Sequence, residues 1–268
     1  MLEKIIVDEA GKPAVEAINL GVPAADTKQV ADRLEHFLRG SSLPPDVVLF
    51  SAGVNNLSHW AFYECLVQDE MIAPTFGERL NHFLGRHSFW VRLVVVYAMT
   101  TKTHSLAFLS YPSAYDIDPG GQLHMKNADL ENAVRHCLLA DYERLTQLIR
   151  QAGALPVVVT YHEGWFITDV QRRFADSRHV ILVDVPAHAA ACGNPDSLQY
   201  HYPREWHPNF QGYLEIAYFA ANDLLQQESL RARRLRLAPY SELQPGLIPL
   251  LKPEMHDAIH PPCEAPSP

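Results

Sequence analysis

The sequence predicts an α/β protein built as a three-layer α/β/α sandwich around a parallel sheet. Three observations predict it. Short, continuous apolar runs at 46–52, 155–161 and 179–185 have strand length and lie between turn signals, as strands covered on both faces do. Stretches of helical periodicity alternate with those runs, which is the signature of helices returning the chain across a parallel sheet. With 268 residues, 47% hydrophobic and 20% charged, the chain is large enough to bury a sizeable core as one domain.

Taken in order, Leu2, Ile5, Ile6 and Ala10 recur at helical spacing, and Gly11-Lys12-Pro13 then hands the chain to a strand at about Val15 to Leu20. Asp26 with Gln29 three residues on is a capping pair for a helix whose apolar face is Val30, Leu34, Phe37 and Leu38. Gly40 and the Ser41-to-Pro45 stretch end that helix, and the Asp46 to Ala52 run follows. Next come a buried helix at Ser88 to Met99 and an irregular loop from Tyr111 to Gly121. A helix from about Ala128 to Ala152 then buries Leu130, Val134, Leu138, Leu145, Leu148 and Ile149, with Gly153 as its cap. The last two strands follow, and then a long helix beginning near Pro208. Residues 1–238 form the domain, and 239–268 are a proline-rich extended tail.

A net charge of −9 argues against nucleic acid, because phosphate binding is driven by Lys and Arg that displace counterions. The apolar run from Phe89 to Met99 is about half a membrane span and contains Arg92, so no membrane span is expected. Cys65, Cys137, Cys192 and Cys263 stand far apart with no CxxC pair, which reads as reduced thiols and, with no signal peptide visible, favours a cytoplasmic location. The 14 histidines contain no His-Glu-x-x-His and no closely spaced Cys/His cluster, so no metal is expected.

Three segments carry the chemistry. Ile18 to Thr27 and Val47 to Asn56 are each an apolar run ending in a small-residue turn, and Glu205-Trp206-His207-Pro208-Asn209-Phe210-Gln211-Gly212-Tyr213 puts a histidine at a loop-to-helix junction. As a lone histidine, His207 would read as a packed helix-start residue. Pro208, Asn209, Gly212 and Tyr213 follow it at close spacing, so it does not stand alone. Asn55 has two readings, an amide donor at a developing oxyanion or a turn asparagine, and the strand before it favours the donor.

In order and spacing these segments resemble the second, third and fifth blocks of the SGNH (GDSL-type) ester hydrolases. The resemblance covers roughly residues 14 to 225 and rests most on His207 to Tyr213. It implies a flavodoxin-like SGNH domain that cleaves or transfers an acyl group on a small acyl ester or acylated sugar, with no metal or organic cofactor. His207 would be general base, Glu205 its orienting partner, and Asn55 with the Ala24 N–H the oxyanion donors. Arg204 stands where the family usually has its acid, and Asn56 where it has an aspartate. Asn56, His162 and Trp165 would line the substrate pocket.

The family's first block, the Gly-Asp-Ser turn that supplies the nucleophile, has no match. A strand is missing with it, which points to a start downstream of the natural one, with Met1 an internal methionine, and an open gap in the sheet would favour a homo-oligomer. Ser51 reads as a core or turn serine on a helix-covered face. Losing a triad serine costs on the order of a million-fold in rate, so a chain of this kind is expected to be nearly inert. A non-catalytic ligand-binding or scaffold protein built on the same fold is the alternative.

Overall fold

The computed structural model describes residues 2–21, 25–42, 44–53, 83, 88, 90, 115–117, 123–125, 128–160, 166–191, 210–231 and 233–239. Its centre is a three-stranded parallel sheet of β2 (Val47–Phe50), β5 (Leu155–Thr160) and β6 (Ile181–Asp184), in that spatial order. Val47 pairs with Leu155 and Val157 with Ile181, so all three strands point the same way.

Side chains alternate across this sheet, and each face receives its own helices. Phe50 and Val158, with Val48 and Leu182, meet α2 (Thr27–Gly40), α3 (Ala128–Gln151) and α4 (Phe166–Arg178). Val157, Val159 and Val183, with Val47, Leu49 and Ile181, meet Phe219, Ala220 and Leu224 of α6 (Phe210–Leu225) and Leu230 of α7 (Glu228–Arg231). Helices on both faces of a parallel sheet make the protein α/β. The opposite side of α6 carries Leu214, Tyr218 and Ala221, which close a third cluster around Ile5, Ile6 and Val7. Two buried stripes explain why α6 is apolar nearly all round.

The predicted strands at 46–52, 155–161 and 179–185 appear as β2, β5 and β6. Asp26 forms a complete capping box at the start of α2, with its side chain accepting from the Gln29 N–H at 2.7 Å. Val134, Leu138, Leu145 and Ile149 are fully buried along α3, and Gly153 leaves that helix with φ +78°.

Other expectations are corrected. The helix at the N-terminus is only α1 (Leu2–Ile5), because Ile6 and Val7 instead form β1 (Ile6–Val7), paired antiparallel with β7 (Arg236–Leu237). The Asp8 carboxylate accepts the N–H groups of Ala10 and Lys12, both at 2.9 Å, and turns the chain where a longer helix was expected. Residues 15–20 form no strand. The Ala17 N–H donates to the Glu3 carboxylate at 2.7 Å, the Gly21 N–H to the Asn19 side chain at 2.8 Å, and Ile18 is 60% exposed. A strand needs a neighbouring ladder, and these backbone N–H groups are taken by side chains instead. Within the predicted 111–121 loop, β3 (Tyr115–Ile117) pairs antiparallel with β4 (Leu123–Met125). Of the expected buried helix at 88–99, Trp90 is exposed.

Cys137, fully buried in α3, is disulfide-bonded, which replaces the reduced thiol expected there. Disulfides persist in oxidising compartments, so the redox argument for a reducing one falls. With 4 cysteines in the chain, thiol titration of the denatured, unreduced protein is expected to find no more than about two free thiols. A count near four would remove the bond. Among the described residues, no helix is long and apolar enough to cross a membrane.

Candidate functional site

In an open parallel sheet, ligands bind beyond the carboxyl ends of the strands. Here that edge is set by Phe50, Thr160 and Asp184. The seven residues singled out above, Ala24, Asn55, Asn56, His162, Trp165, Glu205 and His207, lie outside the described residues. The residues that flank them are described, and they identify where each segment is anchored.

The chain leaves β2 through Ser51, Ala52 and Gly53, two residues before Asn55. The Ala52 carbonyl accepts two hydrogen bonds from buried side chains, the Tyr142 hydroxyl of α3 at 2.6 Å and the Gln171 amide of α4 at 3.1 Å. Gly53 follows at φ +132°, a conformation that L side chains rarely adopt. A Cβ there would lie 2.7 Å from the Tyr142 hydroxyl oxygen and 3.0 Å from Ile167. Burial pushes the Tyr142 hydroxyl well above the usual phenol range, against the opposing effect of its hydrogen bond with Gln171, so it stays a neutral donor. Ser51, expected to face a helix, is exposed.

One helical turn of α3 also anchors the segment that precedes α2. The Thr27 hydroxyl donates to the Asp141 carboxylate, next to Tyr142, and Asp26 is fully buried at the same junction. Burial raises the Asp141 carboxyl, and the charge of Asp26 adds to that, while the Thr27 hydrogen bond opposes it. The 161–165 connection, which includes His162 and Trp165, starts at Thr160 on the sheet edge and ends at α4, whose Ile167 lies against Gly53. Two of the segments are therefore anchored on Asp141 and Tyr142 of α3, and the 161–165 connection reaches the same region through Ile167 beside Gly53.

The fourth segment precedes α6. The C-terminal end of that helix leads through α7 to Arg233, whose guanidinium makes a paired contact with Asp46 at 2.7 and 3.1 Å. Asp46 stands just before β2, at the amino ends of the strands. Consequently α6 runs against the strand direction and begins on the carboxyl-end side, with His207 three residues ahead of its first residue, Phe210. Gly212 is buried in the first turn and Tyr213 is exposed.

A second cluster, which no local sequence pattern announces, lies on the outer flank of β6. Asp184, the last residue of that strand, accepts from Arg172 Nε at 2.7 Å and Nη2 at 3.0 Å, from Thr160 Oγ1 at 3.3 Å and from the Ala187 N–H at 3.3 Å. Burial pushes its carboxyl up, but Arg172, together with the Ala187 N–H and the Thr160 hydroxyl, holds it below the usual carboxylate range. In α5 (Val185–Ala191), His188 Nε2 lies 2.7 Å from Asp223 Oδ2 of α6, and its ring stacks on Phe219 with centroids 4.8 Å apart. These groups border an open cleft of about 470 Å³ that Gln226 and Gln227 complete. His188 and Asp223 are 35 residues apart in the chain, so only the fold could reveal the pair.

No family model matches the chain, and neither the curated proteins nor the solved structures contain a match to it.

Proposed function

We propose that residues 1–238 form an SGNH-type α/β domain whose cleft at the carboxyl ends of the sheet takes a small acyl ester or acylated sugar, with at most residual turnover by this chain. One observation carries the reading: the described residues that border the candidate segments lie on the carboxyl-end side of one parallel sheet, and two of them, Thr27 and Ala52, are held by Asp141 and Tyr142 in a single turn of α3. The spatial order β2-β5-β6 also fits the last three places of the flavodoxin-like order 2-1-3-4-5, and among the described residues no strand takes the central first place.

On this reading His207 is the base, Glu205 its orienter, and the Asn55 amide and Ala24 N–H are the oxyanion donors. Asn56, His162 and Trp165 line the pocket. Such donors are each worth roughly 3–4 kcal/mol in a transition state, but they act on an intermediate that a nucleophile must first form. The sequence contains no Gly-Asp-Ser to form it. Hence the expected behaviour is binding with little chemistry.

The test is a chromogenic short-chain ester presented to the wild-type chain, His207→Ala and Ser51→Ala, alongside calorimetric titration with a non-hydrolysable ester analogue. Expected are equal, near-background rates in all three proteins, and binding that weakens in Asn55→Ala and Trp165→Ala. Turnover that His207→Ala abolishes would make this chain an active hydrolase. Absence of analogue binding would remove the ester reading altogether.

A further inference from the structure

The cleft beside β6 lies about 20 Å along the α6 axis from the start of that helix, at a rise of about 1.5 Å per residue from Phe210 to Asp223. Its lining also includes Asp184, the residue that ends β6 at the carboxyl edge of the sheet. Its carboxylates are already engaged within the chain: Asp184 by Arg172, Thr160 and the Ala187 N–H, and Asp223 by His188. Saturated groups make a poor ligand site, but the one contact that joins two helices runs through an imidazole, whose charge changes near neutral pH.

We infer that the His188–Asp223 pair is a proton-controlled tie that holds α5 against α6: tight while the imidazole is charged and weaker once it is neutral. The geometry is that of a charge-assisted hydrogen bond, 2.7 Å long, with the two side chains only 22% and 19% exposed. Stacking on Phe219 fixes the plane of the ring, so the bond is held in one orientation. Among the described residues, the charged groups around the imidazole are Asp223 from α6 and Asp184 from β6, the latter neutralised in part by Arg172 from α4. The neutral Gln226 and Gln227, just beyond the end of α6, line the same cleft, and Thr160 of β5 donates to Asp184.

The Asp223 hydrogen bond raises the His188 pKa above its ordinary 6.5, desolvation opposes it, and the charges of Asp223 and Asp184 reinforce it. A histidine whose folded pKa exceeds its unfolded one contributes stability that is complete below about pH 6.5 and disappears as pH rises through the folded value. The tie thus loosens on the alkaline side, so α5 and the flank of β6 are freed by deprotonation.

The test is proton NMR titration of the full chain, with His188 assigned by the resonance lost in His188→Gln, together with thermal melts across pH. In wild type the His188 midpoint should stand above the ordinary histidine value, and in Asp223→Asn it should fall toward it. Between about pH 6 and about pH 9, the wild type should lose roughly 2–4 °C more in Tm than Asp223→Asn. Asp46→Asn, which removes an exposed carboxylate from a different ion pair, should leave that difference intact. Equal His188 midpoints in wild type and Asp223→Asn, or the same flattening in Asp46→Asn, would overturn the inference. Should His188→Gln fail to fold, the Asp223→Asn comparison still decides the matter.

Discussion

Gly53→Ala is expected to lower the unfolding free energy by roughly 2–5 kcal/mol, measured as a fall in the urea midpoint with the slope unchanged. Two costs combine at this position. The backbone sits at φ +132°, and the added methyl meets the Tyr142 hydroxyl oxygen at 2.7 Å and Ile167 at 3.0 Å. Real Cβ atoms do not approach that closely, so something must move. Tyr142 is hydrogen-bonded and fully buried, and Ile167 belongs to the main core, so neither moves cheaply. In a Tyr142→Phe background the nearer obstacle is gone and the penalty should shrink, a coupling that a double-mutant cycle would measure. A loss below about 1 kcal/mol in the wild-type background would mean that this turn is less constrained than its geometry implies.

Tyr142→Ala should cost about 3–5 kcal/mol, as aromatic-to-alanine changes in cores do. The ring contacts Phe50 at 6.1 Å and Phe174 at 5.5 Å between centroids, so its removal opens a hole between β2, α3 and α4. Tyr142→Phe separates the hydroxyl from the ring. It should cost only about 1 kcal/mol, because Gln171 continues to donate to the Ala52 carbonyl. If the two substitutions were equally costly, the hydroxyl rather than the packing would hold the end of β2. Calorimetry or urea titration of both variants distinguishes the cases.

Much of this fold was legible in the sequence because its signals are local. The Asp26–Gln29 capping box, the buried stripe from Val134 to Ile149, the Gly153 exit and the three apolar strands each depend on residues within a few positions of one another, and each appears as predicted. Misreadings came where a distant partner decided the outcome. Ile6 and Val7 fit a helical period, yet pairing with Arg236 and Leu237 far along the chain makes them a strand. Residues 15–20 have a strand-like composition, but no described ladder receives them, and the Glu3 side chain, 14 residues away, takes the Ala17 N–H.

The candidate site divides the same way. Turn and junction residues such as Gly53 and Gly212 could be identified from local pattern, whereas the clamp on Ala52 and the His188–Asp223 pair could not. Tyr142 and Gln171 reach Ala52 across about 90 and 119 residues of chain, and nothing in the Val185–Ala191 stretch distinguishes His188 from an ordinary helix histidine.

The direct pairing of β2 with β5 also sets an order of assembly. Val157 and Ile181 are only a short βαβ unit apart, so β5, α4 and β6 can come together with little loop-closure cost. Val47 must find Leu155 across more than a hundred residues, a contact that is favourable only after that long loop has closed. The C-terminal half is thus the natural nucleus, and β2, with the turn that Gly53 shapes, docks late. Until it does, one side of β5 presents unpaired backbone to any extended chain nearby, which makes slow refolding and strand-mediated aggregation the characteristic hazard of this molecule.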